Sequence, residues 1–479
     1  YRNPLVNMKK LFGAFSVEVH TFIEISRLSY VERQDVQNQI ITKIATEKDV
    51  RTFIEKSEND AEPELLGRQS SSVCPSSVVG SPAFYESKLN KIKAIIQSEG
   101  LPTFFMTLTY NYSMLEEVDC NSKLGPERPD LVGWHFAEKL SLVSRAIAKE
   151  DTLGEKVIMA YRIEFTQRGI PHAHFLFWIP DYDDSEIDSY VTANLPNPDK
   201  NPRLHELVTK FNLHVCDHRC LMRNGACKSG FPYEFSEKSE IVDETMKLRR
   251  DTPNFNDKST YYYRPTSVAA NQDRQDVIHG IPSKPGYKLF FSNRVVSYNA
   301  AIMSIWKGHV CFERVKSATS VKYIYKYTST MSSSSIDQIS DYKKDLVAQP
   351  VHAHLSLLKE PIQYQSRSVE ILQVNLPKEN ILKISANYTT NATLRDNLKK
   401  SLENRKDTKL EKFFETQEIE AGDPEKYQSE THLGRDQNGD LRPPAKELTY
   451  FDFPLYYRWV NNRWKRRKRY GVPPICAEQ

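Results

Sequence analysis

Between Thr103 and Tyr110 the chain runs Thr-Phe-Phe-Met-Thr-Leu-Thr-Tyr. Thr107 and Thr109 share one side of this alternation, and Met106 and Leu108 share the other. Together with its aromatic and β-branched content, this predicts a half-buried strand. Just before it, Tyr85 to Glu99 spaces Leu89, Ile92, Ile95 and Ile96 along one helical stripe, which Gly100-Leu101-Pro102 ends. Residues 133 to 149 predict a second helix. Val157 to Phe165 and His172 to Trp178 predict two further strands, joined by a loop from Thr166 to Pro171 short enough for a hairpin. Residues 1 to about 100 read as a mostly helical region. Residues 200 to 290 are rich in loops, and Ser329 to Ser335 is a polar loop. Residues 396–447 are charged and poor in large apolar groups, as in a mobile linker. The last stretch, 448–479, is basic and aromatic.

A length of 479 residues suggests about three domains at roughly 150 residues each. Such a chain buries a large core without disulfide staples. No run of about 18 apolar residues occurs, so no spanning helix and no membrane partner are expected. Seven cysteines, an odd number, favour a reducing compartment over a secreted disulfide framework. The 66 basic and 62 acidic residues nearly cancel, so the location of charge matters more than its sum. There is no glycine-rich phosphate loop, which excludes an ATP-binding module of that type. The opening Tyr1-Arg2-Asn3-Pro4 has neither an initiator methionine nor a signal-peptide pattern, as expected of a piece of a longer protein.

Four stretches carry candidate chemistry. The first is Pro171-His172-Ala173-His174. On a strand, residues i and i+2 face the same way, so His172 and His174 can present two imidazoles to one metal ion. Glu164 lies across the hairpin as the candidate third ligand, with Gln167 as second choice. A similar pair, His352 and His354, sits in a helix-like context, where two positions are about 200° apart; it reads as structural. The second stretch is Val321-Lys322-Tyr323-Ile324-Tyr325-Lys326-Tyr327. On a helix Tyr323 and Tyr327 share a face; on a strand all three tyrosines would. Aromatic packing is the ordinary reading of tyrosines. Lys322 and Lys326 make a nucleophilic role credible, because a phenol with a pKa of about 10 needs a nearby cation to act at neutral pH. The third stretch packs three cysteines and two histidines into fourteen residues. His214, Cys216, Cys220 and Cys227 suggest a structural Zn²⁺ site, with His218 as substitute. The fourth, Arg463-Trp464-Lys465-Arg466-Arg467-Lys468-Arg469, interleaves cations with aromatics near Trp459 and Tyr470. It suits phosphate contacts and base stacking, and equally a nuclear-import signal or a solvated tail.

Taken in order, these motifs are more specific than any one alone. Phe105-Met106-Thr107-Leu108-Thr109, the strand ending in Glu164, His172-Ala173-His174 and then the tyrosine segment resemble the HUH nucleases that start rolling-circle replication. More closely, the chain resembles the replication-initiator part of a Helitron transposase. Supporting stretches include Arg128-Pro129-Asp130-Leu131-Val132, Ser366-Arg367-Ser368-Val369 and Leu448-Thr449-Tyr450-Phe451-Asp452-Phe453-Pro454. The segment from His214 to Pro232 is similar to a cysteine- and histidine-rich insertion of that family. One departure is that Tyr110-Asn111-Tyr112 follows Thr109 where the family usually has Asn-Pro.

The resemblance implies an α+β fold, with a central antiparallel sheet flanked by helices as an HUH core over 101–335. It implies an insertion at about 205–290, a C-terminal part of the nuclease region at 336–395, and a helicase domain of the full-length protein beyond Gln479. It places Tyr323 and Tyr327 on a helix as nucleophiles that nick and rejoin single-stranded DNA, with transposon ends as targets. It makes His172 and His174 the ligands of Mg²⁺ or Mn²⁺. Thr107 and Thr109 join the basic segment as expected DNA contacts, and a nuclear location follows. Two other classes are weighed. Two histidines and a carboxylate also suit an iron oxygenase, which leaves the paired tyrosines and basic tail unexplained. A domesticated remnant would bind DNA without cutting it, but all four key residues, His172, His174, Tyr323 and Tyr327, are intact.

Overall fold

The structure is a computed structural model. It describes residues 15, 17, 19–23, 26, 43–59, 82–118, 122–149, 152–166, 169–216, 218, 220–242, 245–266, 277–315, 350–374, 380–384, 391–435, 439–468 and 475–478. The chain divides into two compact units, one of residues 1–25, 101–327 and 334–366 and the other of residues 26–100, 328–333 and 367–479.

The first unit is built on a five-stranded sheet. Its strands are β1 (Phe104–Thr109), β2 (Ile158–Phe165), β3 (Pro171–Trp178), β4 (His309–Arg314) and β5 (Gln363–Gln365), in the order β4-β1-β3-β2-β5. Every neighbouring pair is antiparallel. The first three strands lie where side-chain alternation predicts them. The β2–β3 hairpin closes through Thr166 and Ile170, with Gly169 at φ 78°. That left-handed position favours glycine over any residue with a Cβ.

Alternation sends Phe104, Met106 and Leu108 of β1, Phe175 and Phe177 of β3, and Val310 and Phe312 of β4 into one continuous core. Helix α1 (Pro129–Ala148) covers this face with Val132, Phe136, Leu140 and Val143. Pro129 opens it at a first-turn position where no N–H is needed. Arg128, just ahead of it, clamps Asp130 through two bonds of 2.9 and 2.8 Å. Helix α2 (Pro202–Phe211) and helix α3 (Ala300–Trp306) add Leu207, Ile302 and Trp306 to the same core. Helix α4 (Pro350–Leu357) carries the second histidine pair, and both rings are buried. His354 lies so close to Gly133 of α1 that a Cβ there would fall 2.7 Å from its ring. His352 packs on the Phe165 ring at 5.2 Å.

The second unit corrects the linker expectation. Helix Asn391–Glu403 runs into residues 396–447, and helix Lys409–Gly422 lies within them. The latter opens with a capping box, in which Thr408 and Glu411 bond each other's backbone N–H at 3.2 and 2.7 Å. Phe413 is its one fully buried large apolar group, and it packs with Leu372, Leu448, Phe453, Tyr457 and Trp464. Because that core is assembled from residues about 30 to 50 positions away, a local window sees only the charges.

Trp464 is corrected for the same reason. Expected to stack on bases, it is 5% exposed, and its Nε1–H donates to the Lys409 carbonyl at 2.9 Å. Trp464→Ala is expected to destabilise this unit by about 3–5 kcal/mol, read as a lower denaturant midpoint for its unfolding. A midpoint unchanged within error would contradict that packing role.

Candidate metal sites

The polar face of the sheet is organised in rows by strand register. One row runs His309, Thr109, His172, Glu164 from β4 to β2. The next runs Cys311, Thr107, His174, Arg162, Gln363 from β4 to β5. Within these rows each threonine of β1 meets a histidine ring. Thr109 Oγ1 is 3.0 Å from His172 Nδ1, and Thr107 Oγ1 is 2.9 Å from His174 Nδ1. When Nδ1–H donates to the threonine oxygen, the Nε2 lone pair is the one left for a metal.

The two rings are nearly parallel, 12° apart in plane, with centroids at 6.5 Å. Phe105 lies along the other side of His174 at 5.6 Å. Glu164 stands opposite His172 in register, but its Oε2 is 3.4 Å from His174 Nε2, and Arg162 approaches its other oxygen at 3.8 Å. Burial, then the proximity of His174, holds His172 down to about 4. Its ring is therefore neutral at physiological pH, as a metal ligand must be.

His309 is a third imidazole on this face that no local motif announces. It follows a glycine at the end of a turn, and only the β4–β1 register brings it beside Thr109. Its Nδ1–H donates to the Phe211 carbonyl at 2.9 Å. Gln167, Lys322, Tyr323, Tyr325, Lys326, Tyr327 and Arg469 lie outside the described residues.

The irregular stretch that follows α2 holds the second set. The ligand atoms of His214, Cys216, Cys220 and Cys227 all lie within 4.8 Å of one another. Among the described residues this is the one group of three or more metal-ligating side chains drawn that close. His214 Nε2 is 3.3 Å from Cys227 Sγ. His218, the substitute in the sequence reading, is exposed and outside the group.

Backbone bonds shape the loop. His214 N donates to Arg294 O at 2.8 Å, Lys228 N to Cys220 O at 2.8 Å, and Gly230 N to Cys227 O at 2.9 Å. The His214 ring stacks on Phe231 at 4.3 Å, which fixes its orientation. Arg294 Nη1 reaches Cys216 Sγ at 3.6 Å. Burial alone would raise the Cys227 thiol. The N–H groups of Ser229 and Phe231 and the neighbouring Cys216 and Cys220 outweigh it, so the thiol titrates below its usual range. One imidazole and three sulfurs suit a closed tetrahedral site, so the cluster could hold a metal such as zinc.

No helix is long and apolar enough to cross a membrane among the described residues. A comparison with curated proteins finds no match. Residues 2–177, which include β1, α1, β2 and all but the last residue of β3 with its histidine pair, match the family described as Helitron helicase-like domain at N-terminus. Over that stretch the chain is similar to Helitron proteins, and a domain of that description implies interaction with DNA.

Proposed function

We propose that this chain is a metal-dependent endonuclease and strand transferase of the HUH type, which nicks and rejoins single-stranded DNA at transposon ends. The observation that carries this reading is the pair of histidines on one sheet face, each held at Nδ1 by a threonine, with a carboxylate alongside. The Helitron-like match over residues 2–177 supports DNA as substrate.

In this reading His172 and His174, with Glu164 beside them, hold Mg²⁺ or Mn²⁺. When bound, such an ion polarises the scissile phosphate and offsets charge that develops there. Thr107 and Thr109 keep the two rings in the ligating tautomer, a different role from direct DNA contact. Glu164, with Oε2 3.4 Å from His174 Nε2, is placed to share one ion with that ring.

Tyr323 and Tyr327 are the nucleophiles by resemblance. The phenol oxygen of one attacks the phosphorus and its proton leaves to base. The bond from phosphorus to the 3′ oxygen breaks, and that oxygen takes up a proton. A 5′-phosphotyrosyl link and a free 3′ hydroxyl result. Attack by a 3′ hydroxyl on that link reverses the step and joins strands without ATP. Lys322 and Lys326 would lower the phenol pKa or hold phosphates. The helicase that accompanies such nucleases would lie in the full-length protein, and its setting would be nuclear.

The test uses single-stranded oligonucleotides labelled at either end, incubated with Mn²⁺ or Mg²⁺ and run on denaturing gels. A protein–DNA adduct that keeps the 3′ label, is prevented by EDTA and is lost in Tyr323→Phe/Tyr327→Phe is expected. DNA binding without any adduct would overturn the nuclease reading.

A further inference from the structure

Among the described residues, 457–466 of the basic segment form a ribbon rather than a tail. Strands Tyr457–Val460 and Arg463–Arg466 pair as an antiparallel hairpin, and Asn461 and Asn462 turn the chain at φ 51° and 60°. Two successive left-handed residues are what a tight two-residue hairpin needs, and asparagine tolerates them. The register sorts the cations into two classes. Tyr457, Trp459, Trp464 and Arg466 share the inward face. There Arg466 donates to the Tyr457 hydroxyl at 2.7 Å and the Pro443 carbonyl at 2.8 Å. Arg467, just past the strand, donates to the carbonyls of Pro454 and Tyr457. These two guanidiniums are committed to the fold.

The outward face is different. Arg458 stands directly opposite Lys465, and Arg463 lies two residues before Lys465 on the same side. All three are exposed, as is Lys468 beyond the strand. Like charges directly opposed across a strand pair repel. Among the described residues none of these four has a carboxylate within ion-pair distance. Other cations of the same unit do: Lys412 with Asp407 at 2.9 Å and Arg435 with Glu430 at 2.8 Å. Burial, with a smaller contribution from Arg458, holds the neighbouring Arg467 below its usual range, against the pull of Glu370.

We propose that the outward face of this hairpin, through Arg458, Arg463, Lys465 and Lys468, is a binding site for the DNA phosphate backbone. A rigid ribbon with unneutralised cations at neighbouring positions matches the regular charge of a polynucleotide. It carries no sequence information, since the aromatic rings that could read or stack on bases point inward. The site rests on DNA as the partner and not on the cleavage chemistry. It differs from a uniform basic tail in two ways. Arg458, five residues before the basic run begins at Arg463, belongs to it, and Arg466 and Arg467, inside the run, do not.

The test measures fluorescence anisotropy of a labelled single-stranded oligonucleotide with the full chain in EDTA, so that nothing is cut. The affinity is followed against salt concentration. Each lost phosphate contact removes about 0.7 from the slope of log affinity against log salt. Arg458→Gln/Arg463→Gln/Lys465→Gln is expected to lower the slope by about 2 and to weaken binding at low salt by at least about tenfold. Arg458→Gln alone is expected to lower it by about 0.7. Arg435→Gln, an exposed cation already paired, is the control and should leave the slope unchanged. Unchanged thermal unfolding checks that the triple variant is folded. A triple variant with the slope of the wild type overturns the proposal. Because the measurement is made without metal, loss of cleavage in a His172→Ala variant bears only on the nuclease reading, and a failed hairpin leaves cleavage untouched.

Discussion

Replacing His172 or His174 with alanine is expected to abolish Mn²⁺-dependent strand cleavage, and Thr107→Val and Thr109→Val are each expected to lower Mn²⁺ affinity by about 10–100-fold. The difference in size follows from the geometry. Each histidine would contribute a ligand atom, and its loss removes one of the two imidazoles that the strand spacing sets side by side. Each threonine touches only Nδ1, at 2.9 and 3.0 Å. Valine keeps the shape of threonine and removes the hydroxyl, so the ring loses the partner that selects its tautomer and fixes its plane. His174 keeps Phe105 stacked alongside, so its orientation is only partly released in Thr107→Val. Among the described residues His172 has no ring partner of that kind beyond His174, so Thr109→Val should be the more damaging of the two. Calorimetric titration of Mn²⁺ into DNA-free protein separates affinity from turnover. Wild-type affinity in both threonine variants would remove their positioning role. Full Mn²⁺ binding by His172→Ala would remove the site itself.

The contrast between these residues also shows what a single sequence conveys. Strands β1, β2 and β3 were legible because alternation is a local property, two residues deep, and a hairpin needs only a short loop. The same alternation put His172 and His174 on one face. The bonds from Thr107 and Thr109 to the histidine rings depend on β1 pairing with β3 some 65 residues away in sequence, and no local pattern fixes that register. His309 was missed for the same reason, since β4 joins the sheet through β1 alone. In the second unit the helix Lys409–Gly422 reads as charged surface because a single buried phenylalanine anchors it. The partners that make this sufficient, Phe453, Tyr457 and Trp464, come from the segment that composition assigns to nucleic acid. Composition counted the cations correctly but could not say which side of a ribbon each would occupy.

Cysteine spacing was more informative, because metal ligation constrains side chains that are close in sequence, and it yields the second large prediction. Native mass spectrometry of the purified chain is expected to find one zinc per molecule, lost in Cys216→Ser, Cys220→Ser or Cys227→Ser and retained in His218→Ala. His218 is the discriminating position: it fits the spacing as well as His214 does, yet its side chain is exposed and outside the converging set. Loss of zinc in His218→Ala with retention in His214→Ala would reverse the assignment, and a metal-free wild type would remove the site. A structural zinc of this ligand type contributes about 10–16 kcal/mol of apparent binding free energy in small peptides at neutral pH. Here the loop is also tethered at both ends, His214 N donating to Arg294 O and Tyr233 N to Asn293 O, so metal loss should open residues 214–232 locally before it melts the unit. Limited proteolysis after chelation should cut within those residues while the β-sheet core stays protected. The affinity should fall as pH falls, because three thiols must lose their protons to bind, and the depressed Cys227 thiol makes its own share of that cost smaller than a free thiol's.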